Sequence, residues 1–519
     1  MTEADGINVL SGVLNGIEPA AVFRFFEEVS AIPRGSGDEA AIAAYLEGFA
    51  WARGLWVYRD KHNNVLIRKP GSRGREGEPP VIIQGHSDMV CEKNADIRHD
   101  FLKDPIELYT DGDLIRARGT TLGADDGVAL AFALALLDGG PACDPPFSHP
   151  PFSHPPIEAL FTTDEETGMD GALNFDYGLL RAKRLINLDS EEEGRFMVSC
   201  SGGARVDLKI PVTRRMIPDG RAAFEISVKS LRGGHSGMDI HKERGNANRL
   251  MARVLNVVLF DTEKSVEGGV LCGVEGGSMD NAIPRECRAL ISIENETEIQ
   301  RLLEIVKRYD AIFKNEYRVS DPLVEVSAKE LPALPAGRAG ISQETAASAV
   351  RALLTLPCGV LGMSLDIPGL VETSNNIGVV KLVKENLDKD SNEYIVITCA
   401  ARSSVATRME FVKSQIKAVA EAVGAAVSAR GEYPGWEYSP VSPMREAALE
   451  CYRELSGKAG ETAAVHAGIE CGIFAERIAG LDAVSFGPNI HGVHSPDECL
   501  EIASTQRAWK LLLRILARI

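Results

Sequence analysis

Apolar positions recur at helical spacing over residues 20–28 and 38–53, where Ile42, Tyr45, Leu46 and Phe49 share one face. Short β-rich runs follow at 55–58, 64–68 and 81–85, then a helix at 126–137 and strands at 157–163 and 184–188. Strands alternating with helices predict an α/β fold on a mainly parallel sheet. Val81-Ile82-Ile83 shows no polar alternation, as expected of a strand buried on both faces.

The pattern then changes. A strand at 223–229 leads to a helix at 245–260, strands at 269–274 and 288–294, and a helix at 298–314. Residues 341–430 repeat that order: helix 343–355, strands 377–384 and 394–402, helix 410–423, strand 426–430. This predicts two α/β sandwiches with antiparallel sheets, read as a duplicated ferredoxin-like unit. The charged stretch 385–392 reads as a hairpin loop. Beyond Pro434 the first pattern returns, with helices at 444–454, 469–477 and 504–519 and a strand at 482–486. The expected organisation is one α/β domain from 1–205 and 433–519, with 206–432 inserted as an α+β domain.

Length and composition narrow the function classes. The 519 residues are 45% apolar and 25% charged, which excludes a disordered, collagenous or coiled-coil chain. The net charge of -18 opposes binding to nucleic acid through a global basic field. No apolar run nears the roughly 20 residues of a membrane helix, and the acidic start lacks the pattern of a secretory leader. Ten scattered cysteines without a Cys-x-x-Cys pair read as reduced thiols, so the expectation is a cytoplasmic protein that binds neither nucleic acid nor membrane. The tandem Pro-Pro-Phe-Ser-His at 145–154 reads as a surface loop, and His149 and His154 within it as non-ligands.

Acids and histidines follow predicted strands repeatedly. Residues 81–85 run into His86-Ser87-Asp88, 157–163 into Asp164-Glu165-Glu166, 184–188 into Asp189, and 482–486 lead on to His491 and His494. In parallel α/β sheets the carboxyl ends of the strands form the binding edge. A fifth element, Gly123-Ala124-Asp125-Asp126-Gly127, opens a helix. Alone, each has a plain explanation: a chance His-x-Asp, a solvated acidic pair, a helix cap. Together they predict a metal cluster. Imidazole and carboxylate without thiolate suit Zn²⁺, Mn²⁺ or Co²⁺. In Glu165-Glu166 one carboxylate can bind metal while its neighbour takes a proton from an activated water. Asp88 is placed to orient His86.

Gly85-His86-Ser87-Asp88-Met89-Val90, Gly123-Ala124-Asp125-Asp126-Gly127, Thr163-Asp164-Glu165-Glu166-Thr167-Gly168 and His494-Ser495-Pro496-Asp497-Glu498 resemble the M20 family of dinuclear-zinc metallopeptidases. Asp88-Met89-Val90-Cys91-Glu92-Lys93-Asn94, Gly233-Gly234-His235-Ser236-Gly237 and His466-Ala467-Gly468-Ile469-Glu470-Cys471 look like its aminoacyl-histidine dipeptidase group. The resemblance runs from Ile32-Pro33-Arg34 to the C-terminus. It implies a zinc-exopeptidase-like catalytic domain and an inserted lid. It implies two divalent ions, zinc first with cobalt or manganese as alternatives, bridged by Asp125. His86 and Asp189 would complete one ion, Glu166 and His494 the other. Glu165 would be general base and acid, the Asp125–Asp126 peptide would be cis, and His235 from the lid would stabilise the oxyanion. A homodimer through the lid is implied as well.

Some positions stay open. His491 competes with His494, and only the His-Ser-Pro-Asp-Glu motif favours the latter. His466 is either a pocket residue or a packed helical histidine. Asn281 and Arg402 are candidates for the substrate's C-terminal carboxylate, Arg402 through its guanidinium fork, with a surface salt bridge as its alternative. His62, His99 and His241 read as structural.

The expected function is metal-dependent hydrolysis of short peptides, dipeptides first, with a C-terminal histidine preference as a further expectation. An N-acyl amino acid deacylase or carboxypeptidase of the same fold is the near alternative; the doubled insert argues against it. An inactive metal-binding scaffold is the distant one, and the intact Glu165 counts against it. Gly234-His235-Ser236-Gly237 lacks the spacing of a serine-hydrolase elbow.

Overall fold

Runs of buried apolar residues build the parallel heart of the first unit. The computed structural model describes residues 12–138, 152–332, 339–385 and 392–519. The chain divides into two units: Met1–Cys200, Tyr438–Ala464 and Ile469–Ile519 form one, Ser201–Glu437 and Val465–Gly468 the other. In the first, Ile157–Thr162, Val81–His86, Arg184–Asn187 and Asp482–Ser485 lie side by side and parallel. The first two are buried at every position. Antiparallel strands Trp56–Arg59 and Val65–Lys69 extend one side of this eight-stranded sheet.

Helix Ala124–Leu137 is buried on every face, and beyond Asp125 and Asp126 in its first turn it is apolar all round instead of striped. It packs against strand Val81–His86 and helix Ala20–Ser30. Gly123, just before it, has φ +67, and a Cβ there would meet Arg34 and Met89. The Asp125–Asp126 peptide is cis. A separate four-stranded sheet joins Ile490–His491, Cys499–Glu501, Leu114–Ala117 and Leu108–Asp111.

The second unit corrects the expectation of two sheets. Its main strands form one nine-stranded sheet, in which Gly359–Met363 pairs Val371–Lys384 off the main order, and two short pairs, Arg214–Arg215 with Gly340–Ile341 and Gly234–His235 with Ala282–Ile283, stand apart from it. Glu325–Leu331, Ala222–Lys229, Cys287–Ile293 and Val270–Gly276 neighbour one another in that order, which is 4-1-3-2 by position in the chain. Val371–Lys384, Glu393–Ser403, Gly202–Pro211 and Ala426–Tyr433 follow in the mirrored order 2-3-1-4. With helices Ala247–Phe260 and Glu296–Glu316 in the first set, and Gln343–Thr355 and Ala406–Ala422 in the second, each set runs β-α-β-β-α-β. The two are joined edge to edge, Gly276 opposite Val380. The opening strand of the second set, Gly202–Pro211, precedes the first set in the chain. The unit spans Ser201–Glu437 and takes in Val465–Gly468.

Glu385 N–H donates to Asn392 O where the loop at 385–392 was expected; residues 386–391 lie outside the described residues. So does His149. His154 is described and buried: its Nδ1 lies 2.8 Å from Pro155 O, and burial pushes its pKa down to about 4. No helix among the described residues is long and apolar enough to cross a membrane.

Candidate metal centre and active site

The carboxyl ends of the four parallel strands deliver their side chains to one edge. His86 ends strand Val81–His86 and is buried. Its Nε2 lies 3.0 Å from Asp125 Oδ1 and 3.7 Å from Asp189 Oδ1. On the other side of Asp125, His494 Nε2 lies 3.3 Å from Oδ2 and 3.0 Å from Glu166 Oε2. One carboxylate thus stands between two imidazoles, each with a second carboxylate beside it. The structure brings His86, Asp125, Glu166, Asp189 and His494 together. It separates His491, whose Nε2 is 2.8 Å from Glu501 Oε1. His494 holds its place with φ 60, in the left-handed region uncommon for a non-glycine residue.

Asp88 ties two of these segments together. Its Oδ1 is 3.3 Å from His86 Nδ1 and accepts the backbone N–H of Glu165 at 3.1 Å. Its Oδ2 accepts from Ser36 Oγ at 2.8 Å and from Glu166 N at 3.3 Å. Burial opposes its charge, but His86 and these donors hold its carboxyl below the usual range.

Negative charge exceeds positive charge in this site. Burial pushes the carboxyls of Asp189 and Asp126 well up. Glu165 rises to about 8, through burial first, with Glu470, Glu166 and Asp125 adding to it against the pull of His86. Burial also works to raise Asp125, yet the hydrogen bonds of His494 and His86 outweigh it and hold it low. Hydrogen bonds to Asp125 and Glu166 raise His494 to about 10.

This donor set fits a divalent metal. Buried carboxylates that outnumber their cations call for positive charge, and nitrogen and oxygen donors without thiolate suit Zn²⁺, Mn²⁺ and Co²⁺. Ligand atoms of His86, Asp125 and Glu166 lie within 4.8 Å of one another, and so do those of His86, Asp126 and Asp189. Asp126 has another task, since its Oδ2 accepts the backbone N–H of His86 at 3.2 Å.

Three residues of this unit were not singled out in the sequence. Arg34 is buried and donates to the carbonyls of Ser87, Asp88 and Gly123. Glu498 is buried against the start of helix Ala124–Leu137. Glu470 bonds the strands that lead to His86 and Glu165: its Oε2 accepts from Gln84 Nε2 at 2.6 Å and Thr162 Oγ1 at 2.7 Å, while its Oε1 is buried without a partner among the described residues. Glu470 and Glu498 stand inside quoted motifs, which was the available signal.

The remaining candidates belong to the second unit. His235 sits in a short strand opposite Ala282, and Ser236 N–H donates to Asn281 O. His235 Nδ1 accepts the backbone N–H of Met238 at 2.9 Å, so the neutral ring carries its proton on Nε2. Burial, then Arg402, pushes its pKa down. Arg402 is buried, which corrects the surface alternative: Nη1 donates to Tyr433 Oη at 3.0 Å, Nε has no partner, and no carboxylate among the described residues pairs with it. His466 is not helical. It is buried, its Nε2 lies 2.7 Å from Ser374 Oγ, and burial above all pushes its pKa down to about 3. Gly237 joins these groups, because a Cβ there would collide with His466 O and crowd Arg402.

Residues 82–518 match peptidase family M20/M25/M40. The chain belongs to that family, an enzyme class of peptide hydrolases. It is 37% identical over 506 residues to the cytosol non-specific dipeptidase of Escherichia coli (strain K12), across 98% of this chain and 99% of that one. The crystal structure of aminoacylhistidine dipeptidase from Vibrio alginolyticus matches with a TM-score of 0.86 at 35% identity, over 98% of both chains. An aminopeptidase of Bacillus cereus matches at 0.57 and 16% identity over 96% of this chain and 98% of that one, which speaks to the fold alone.

Proposed function

We propose that the protein hydrolyses dipeptides with two divalent metal ions, zinc first and cobalt or manganese as alternatives. The observation that carries this is the Asp125 carboxylate standing between His86 and His494, with Glu165 beside Glu166. Ions held by His86, Asp125, Asp189, Glu166 and His494 would polarise a peptide carbonyl and acidify a water.

The chain's own residues supply the rest. Glu165, next to Glu166 beyond the end of strand Ile157–Thr162, accepts the proton of the attacking water as a carboxylate and returns it to the leaving amine. Asp88 holds the backbone of Glu165 and faces His86, so base and ligand keep one relative position. His235 offers an Nε2–H donor to the developing oxyanion, a contribution of roughly 10²–10³-fold for one such donor. Arg402, a buried guanidinium that no carboxylate among the described residues pairs with, suits the free C-terminal carboxylate of a short peptide, and Asn281 lies on the segment bonded to Ser236. The names of the two full-length relatives support a dipeptide substrate, one of them an Xaa-His dipeptide, and a cytosolic setting.

The test is a panel of Ala-His, β-Ala-His, Ala-Ala, a tripeptide and an N-acetyl amino acid, with Zn²⁺- and Mn²⁺-loaded enzyme. Cleavage of dipeptides ahead of the others is the expected result. Cleavage of the N-acetyl substrate alone would move the protein to the deacylases.

A further inference from the structure

Glu498 follows His494 by four residues and is 2% exposed. Oε2 accepts the backbone N–H of Leu122 at 2.8 Å and of Gly123 at 3.0 Å. Oε1 accepts those of Ala124 at 2.8 Å and Asp125 at 3.3 Å. A helix start leaves four N–H groups unsatisfied, and an ordinary capping side chain meets one of them. Here Gly123, which has no side chain to offer, occupies the capping position, and helix Ala124–Leu137 is buried throughout. A carboxylate from more than 370 residues away along the chain meets three of them, those of Gly123, Ala124 and Asp125, together with that of Leu122 just before the cap, at the end of the helix where negative charge is favoured.

From the other side, Arg34 donates to the carbonyl of Gly123 and to those of Ser87 and Asp88. The loop before Asp125 is thus gripped by one anion and one cation. The anion sits on the same short segment as His494, whose imidazole faces Asp125 Oδ2.

We infer that Glu498 is a positioning residue for the shared carboxylate: by clamping the four N–H groups of residues 122–125 it sets Asp125 between His86 and His494, so that both metal positions depend on it. This rests on the reading of Asp125 as the ligand common to two ions. A carboxamide cannot replace the clamp. It has one acceptor oxygen, and its NH₂ would face two N–H donors. An aspartate is one methylene too short to reach all four.

The test is metal binding by the full chain, with Zn²⁺ titrated against a competing chelator for wild type, Glu498→Gln, Glu498→Asp and Ala133→Gly. The last weakens the same helix without touching the clamp. The expected result is two ions for wild type and for Ala133→Gly with equal affinity. Glu498→Gln is expected to bind about 10–100-fold more weakly, in line with other groups that orient metal ligands. Its kcat should fall while KM for Ala-His changes little. If Glu498→Gln does not fold, the affinity of Glu498→Asp decides in the same way. Wild-type affinity within twofold in the folded Glu498 variants, or an equal loss in Ala133→Gly, overturns the inference alone. A wild type that binds no Zn²⁺ overturns the two-metal reading and the inference with it.

Discussion

Oδ1 of Asp88 lies 3.3 Å from Nδ1 of His86. The same oxygen accepts the N–H of Glu165, so the imidazole and the backbone carrying the base face one buried carboxylate oxygen. Asp88→Asn keeps the volume and removes the charge. The expected outcome is a roughly 10–100-fold loss of metal affinity or activity, measured by Zn²⁺ titration and by turnover of Ala-His. Unchanged values in both would show that Asp88 does not set the position of His86.

Arg402 makes a separate prediction. If its buried guanidinium meets the C-terminal carboxylate, Arg402→Ala loses a charge-assisted hydrogen bond worth about 1.5–3 kcal/mol, or roughly 10–150-fold in kcat/KM. The loss should appear with Ala-His and vanish with its C-terminal amide, which has no carboxylate to lose. An equal loss on both substrates would assign Arg402 to the packing of its unit, where it bonds Tyr433.

Glu470 gives a pH dependence. Burial raises its carboxyl to about 7 from an ordinary 4.5, so between those values the folded state holds a proton that the unfolded state releases. Its stabilising contribution is therefore complete below about pH 4.5 and is lost as pH rises through about 7, on the order of 3 kcal/mol in all. Glu470→Gln cannot ionise. Its melting temperature, compared with wild type in metal-free protein from pH 5 to 8, should gain relative to wild type as pH rises. A difference that stays flat across that range would contradict an ionising Glu470.

Much of the first unit was legible because its signals are local. Val81-Ile82-Ile83 announces a doubly buried strand, and His86, Asp189 and Glu165-Glu166 follow such strands within a few residues. The strand Glu325–Leu331 was not legible. It lies at the sheet edge with a polar sequence, and its pairing with Ala222–Lys229 defines it. Gly202–Pro211 was missed for a similar reason: it opens with two glycines, and its partners lie about 190 and 220 residues further along the chain. Without it the second β-α-β-β-α-β set lacks its first strand, and the sequence pattern predicts two sheets instead of one. Arg34, Glu470 and Glu498 stayed hidden because a charged residue reads as surface until the backbone groups or distant side chains that satisfy it are known.

The measurement that tests the central claim most directly is the turnover of Ala-His by wild type and Glu165→Gln at equal Zn²⁺ occupancy, with metal-free wild type as reference. The account predicts rapid cleavage by loaded wild type and none without metal. It predicts a roughly 10²–10⁴-fold lower kcat for Glu165→Gln with both ions retained. Cleavage by metal-free wild type, or a Glu165→Gln enzyme as fast as wild type, would contradict it.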